Sequence, residues 1–85
     1  MALFMDVHRK VTGLTPGELE EIARSGLETA RAKGVEVRNF WYNAKEGCIF
    51  CLCEASSKEA AIEAHRASGE PIPDEIFEVK EGSLH

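Results

Sequence analysis

Four short apolar runs are interleaved with two helical segments in the order β-α-β-β-α-β, all within 85 residues. That order leaves few folds open. Residues 2–11 alternate Leu3, Met5 and Val7 with Phe4, Asp6 and His8, the period-two pattern of a strand. Thr15 then sits where a helix N-cap belongs, Pro16 takes the first helical position, and Glu18 completes a capping box. Leu19, Ile22, Ala23, Gly26, Leu27 and Ala30 recur at helical spacing, which predicts one helix running to a stop at Gly34. Residues 35–43 and 48–55 read as two strands around a turn at 44–47. Ser56 and Glu59 predict a second capping box for a helix that stops at Gly69. Residues 70–73 form a stiff Pro-rich linker, and residues 74–79 a short last strand.

This is the ferredoxin-like split βαβ pattern, an α+β sandwich. It predicts a four-stranded antiparallel sheet with two helices on one face, formed by residues 1–82, with a frayed tail at 83–85. The first and third strands are expected at the sheet centre, as parallel neighbours. Side chains at i and i+2 of a strand share a face. We expect Leu3, Met5, Val7, Phe50, Leu52 and Trp41 to point at the helices. The opposite, open face would then carry Phe4, Asp6, His8, Phe40, Tyr42, Ile49, Cys51 and Cys53. Such a face is too apolar to lie bare in water. A second copy would cover it, so a homodimer through or beside the open sheet face is expected, in keeping with the chain's small size.

The charge balance narrows the partners. Asp and Glu number 15 against 10 Lys and Arg, and the basic residues form no stripe. We therefore expect no nucleic acid as a partner. The longest apolar run is strand-length, so neither a membrane span nor a signal peptide is expected. Three cysteines crowded into residues 48–53 are no disulfide framework. They point to free thiols and a cytoplasmic location.

Two pairs carry the chemistry: Asp6-x-His8 and Cys51-x-Cys53. A carboxylate, an imidazole and thiols on one patch are ligands for a soft or borderline divalent metal. Each has a plainer role too. Asp6 can pair with His8 in a structural network, and buried cysteines commonly act as small hydrophobes. Cys48 reads as packing on the helix side. His65 is placed on or beside the inner face of the second helix, apart from the patch. Tyr42 and Arg38 are expected together on the open face, as an anion site or as the rim of a dimer contact. No nucleophile elbow, phosphate-binding glycine loop or His-Glu-x-x-His motif is present.

Several stretches together resemble a family of small bacterial proteins catalogued as a domain of unknown function. They are Met1-Ala-Leu-Phe-Met-Asp-Val-His8, Trp41-Tyr42, Phe50-Cys51-Leu52 with Glu54-Ala55, His65-Arg66, and Asp74-Glu75-Ile76 with Glu78-Val79. The resemblance implies a ferredoxin-like dimer and, from the characterised member, nickel binding. It carries over to Asp6, His8, Cys51 and His65. Cys53 joins the candidate set on geometry alone. Ala23 and Ser68 stand where relatives commonly have further histidines.

The reading that follows is a non-catalytic metal-binding protein, for nickel or a similar divalent transition metal, serving sensing, storage or buffering. Two alternatives stay open. One is a dimeric α+β-barrel enzyme with His8 as general acid or base on a small organic substrate. The other is a bare dimerisation module. An enzyme would need a cavity of several hundred cubic ångströms, on the order of ordinary ligand pockets.

Overall fold

The computed structural model describes residues 1–69 and 71–84. Glu70, the first residue of the expected linker, and His85, the last of the expected tail, lie outside the described residues.

Among the described residues, seven elements follow in order: β1 (Ala2–His8), α1 (Pro16–Ser25), α2 (Leu27–Ala32), β2 (Glu36–Asn43), β3 (Cys48–Ala55), α3 (Lys58–Ser68) and β4 (Glu75–Val79). The strands form one sheet in the order β2-β3-β1-β4, and each neighbouring pair is antiparallel. This is the expected α+β ferredoxin-like arrangement, with one correction. β1 and β3 are central neighbours, but they run antiparallel, not parallel. In a split βαβ unit the crossover makes β1 parallel to β2, and β3 inserts between them in the opposite sense.

The first helical segment is two helices. Gly26 leaves helical geometry at φ −99°, ψ 2°, ending α1 and opening α2. Lacking a side chain, glycine weakens a helix from within, and the expected single helix breaks there. The Thr15 cap is present in full: its hydroxyl accepts from the Glu18 amide at 3.2 Å, and the Glu18 carboxylate accepts from the Thr15 amide at 3.0 Å. The α3 cap lies one residue later than expected. Ser57, not Ser56, accepts from the Ala60 amide, at 3.1 Å. Gly34 and Gly69 stop their helices with positive φ, as expected.

The residues grouped by parity do share faces, but the two faces are exchanged. Phe4 (3% exposed), Cys53 (2%) and Ala55 (0%) pack beneath the helices against Ala30, Ala61 and Ala64. The opposite face carries Trp41, 49% exposed, and Phe77, 52% exposed. On that face Met5 stands between Leu52 and Phe77, and Val7 lies beside Phe50. Both faces are apolar enough to serve as a core, so parity could not rank them. What ranks them is the helix surface. Its inward residues are mostly alanines, so the helices come close only over a matching set of small or flat side chains such as Cys53 and Ala55.

The β2–β3 register pairs Trp41 with Phe50 and Tyr42 with Ile49, then shifts between Val37 and Asn39. The bulge turns Arg38 to the other side. At the hairpin, Gly47 (φ +69°) accepts from the Val11 amide at 2.8 Å, pinning the segment after β1 against the turn.

Candidate metal centre

Asp6 and His8 sit two apart on β1, a central strand, so both side chains point into the layer between sheet and helices. His65 comes down from α3 into the same layer. These three residues converge: one ligand atom from each lies within 4.8 Å of the others. His8 Nε2 is 3.2 Å from Asp6 Oδ1, and His65 Nε2 is 3.5 Å from Asp6 Oδ2. The two imidazole centroids are 5.4 Å apart and tilted by 42°. An open-face Asp6 and His8 would stand apart from His65, as the pattern predicts. With the faces exchanged, the helix brings His65 to them.

The hydrogen bonding around this cluster is unusual. Asp6 is 1% exposed, and among the described residues neither of its carboxylate oxygens receives a hydrogen bond. The close imidazole nitrogens are within ion-pair distance of it but make no hydrogen bond to it. His65 Nδ1 lies 2.9 Å from the carbonyl oxygen of Ala61, one turn back on α3. A carbonyl only accepts, so Nδ1 holds the ring proton. In the neutral ring, Nε2 is then a bare lone pair 3.5 Å from a carboxylate oxygen. Two acceptors lie close together around a buried carboxylate, and a cation between them satisfies both. The donor set, two imidazoles and one carboxylate, suits a divalent transition metal.

The remaining candidates are placed as follows. Cys51 pairs with Asp6 across β1 and β3 and faces the same layer, but it is not among the converging atoms. Cys53 pairs with Phe4 inside the core. Burial, helped by the nearby negative charge of Asp6, pushes its thiol up to about 11. At neutral pH it stays protonated and is a poor ligand. Cys48, Cys51 and Cys53 are thiols, not disulfide partners. Tyr42 and Arg38 do not share a face: the Tyr42 hydroxyl donates to Glu20 of α1 at 3.3 Å, while Arg38 lies 3.7 Å from Glu54. The bulge between Val37 and Asn39 separates them.

A half-open cavity of about 170 Å³ adjoins the cluster between sheet and helices. His8, Cys51 and His65 form part of its wall, and Ile22, Ala23, Val37 and Ile49 contribute apolar surface. Nothing in the sequence marks this space, because the alanines and glycine that leave it open read only as a helix face. The spacing of Ala61, Ala64 and His65 on one helix was the available signal that His65 borders that face.

Among the described residues, no helix is long and apolar enough to cross a membrane. No curated protein matches the chain. The crystal structure of SCO4226 from Streptomyces coelicolor A3(2) is similar, at 34% identity and a TM-score of 0.86, over 96% of this chain and all (100%) of that one. Residues 4–79 match the family model described as nickel responsive protein SCO4226-like. On both grounds, this chain belongs to the SCO4226-like family of nickel-responsive proteins.

Proposed function

We propose that Asp6, His8 and His65 hold a divalent transition metal, nickel in keeping with the family description, and that the protein senses, stores or buffers it without catalysis. The observation that carries this reading is the Asp6 carboxylate. It is buried, lacks a hydrogen-bond donor among the described residues, and faces two imidazole nitrogens, one of them fixed as a lone pair. Leaving such a group unpaired costs about 1–3 kcal/mol or more, which a bound cation offsets. Three protein ligands leave at least one coordination position to water or another donor.

Binding weakens as pH falls, because protons compete for the same imidazole nitrogens. Cys51 stands close enough across the strand pair to join if its side chain turns toward the cluster, whereas Cys53 does not take part. The cavity volume of about 170 Å³ is below the several hundred cubic ångströms typical of substrate pockets, and this favours the metal reading over the enzyme.

The partner we propose is a second copy of the chain, seated on the sheet face opposite the helices. Trp41 and Phe77 are half-exposed there beside Met5, Phe50 and Leu52. A contiguous apolar surface of this kind on a small chain favours burial against its own copy. The metal cluster would then lie on the far side of the sheet from the contact. Calorimetric titration of the untagged protein with nickel and with zinc, beside His8→Ala and His65→Ala, tests the site. Equal uptake by all three proteins would remove these residues from it.

A further inference from the structure

We propose that the cavity beside Asp6, His8 and His65 is a ligand site. Its occupant would be a neutral, single-ring molecule with one nitrogen donor that completes the coordination of the bound metal. The inference rests on the metal reading above and adds what the open coordination position is for.

Three features of the cavity carry it. The first is position: His8 and His65 both form part of its wall, while Asp6 lies beyond that wall, under the imidazoles and outside the lining. A cation held by the two imidazoles would therefore border the cavity. The second is size. At about 170 Å³ the space is close to that of an engineered apolar cavity of ~150 Å³ that stays dry and takes benzene. A six-membered ring fits, and a drug-sized molecule does not.

The third is lining. Ile22, Ala23, Ala30, Val37, Ile49 and Ala64 supply the walls. No carboxylate, lysine or arginine is among the lining residues. A charged ligand would lose its hydration with nothing to replace it. A neutral ring loses little, and its nitrogen is a ligand type that suits nickel. Apolar burial binds the ring and the metal orients it, a division of labour common to small-molecule sites.

Pyridine is the probe, and benzene is its counterpart without a donor. Nickel uptake is first measured by calorimetry. The nickel-loaded protein is then titrated with each probe and followed by its ligand-field absorption. Two variants fill the cavity from different walls, Ala23→Phe and Ser68→Leu, and neither residue is among the metal ligands. We expect pyridine to shift the wild-type spectrum and benzene to leave it unchanged. In both variants nickel affinity should stay within about twofold, while pyridine affinity falls at least tenfold. If one variant does not fold, the other carries the comparison. Failure of nickel uptake by wild type overturns the metal reading and this proposal together. Nickel uptake with a spectrum insensitive to pyridine overturns this proposal alone. So does a pyridine response of equal affinity in a folded, cavity-filled variant.

Discussion

The Nε2 atom of His65 lies 3.5 Å from Oδ2 of Asp6, while the Nδ1 of the same ring is committed to the Ala61 carbonyl at 2.9 Å. One turn of α3 is thus enough to fix which nitrogen faces the carboxylate. It also means that the apo cluster is held together against a local electrostatic conflict. Stability and metal affinity are then opposed at Asp6.

Asp6→Asn should expose that opposition. The amide removes a buried charge and supplies an N–H donor to the His65 lone pair. We expect the metal-free variant to be more stable than wild type by about 1 kcal/mol in urea unfolding. It should also lose the nickel-dependent stabilisation, which for wild type reaches about 2.7 kcal/mol at a hundredfold excess over Kd. A variant that keeps that stabilisation would show that the carboxylate is not a ligand.

The two thiols of the original patch should behave differently. The Cys53 thiol sits at about 11, against an ordinary value of 9.0, because of burial and then of Asp6. The unfolded chain releases its proton first as pH rises. Cys53 therefore contributes stability in full below about pH 9, and loses it between about pH 9 and pH 11. In native protein at pH 8, iodoacetamide should label Cys53 more slowly than Cys48 or Cys51, as followed by peptide mass spectrometry. Cys53→Ala should leave nickel affinity within about twofold, since a protonated thiol is not a ligand.

Much of the fold was legible in the sequence. Thr15, Pro16 and Glu18 fixed one helix start, and Gly34 and Gly69 fixed two helix ends. The Asp6-x-His8 spacing placed both side chains on one face. Which face was not legible: Leu3, Met5 and Val7 are more apolar than Phe4, Asp6 and His8, so the pattern along β1 favours the face that the structure leaves open. Choosing between them depends on how closely Ala61 and Ala64 approach the sheet, a tertiary fact. The position of His65 hung on the same choice. The Gly26 break was half visible: its cost to a helix was plain, but not that the chain would divide there.

Gly47→Ala tests the support beneath the end of β1. At φ +69° a side chain is strained, and its Cβ would stand 2.7 Å from Thr12 Cγ2 and 3.3 Å from the Val11 and Thr12 backbone. We expect a loss of about 1–3 kcal/mol in urea unfolding. Nickel affinity should fall less than in His8→Ala, since the metal ligands themselves remain.

Phe77→Glu addresses the sheet face. Phe77 is 52% exposed in the protomer, so the charge should not disturb the protomer core. Sedimentation at micromolar concentration should show dimer for wild type and monomer for the variant, with unchanged circular dichroism. Wild type that sediments as monomer would remove the dimer from the account.

The central claim is that two histidines and one buried aspartate form a single metal site. Calorimetric titration of nickel into untagged wild type, His8→Ala and His65→Ala tests it most directly. We predict one site per chain in wild type, and at least a tenfold loss of affinity, about 1.4 kcal/mol, in each variant. Wild-type affinity in His65→Ala would contradict the claim, because the helix and the strand would then not share a metal.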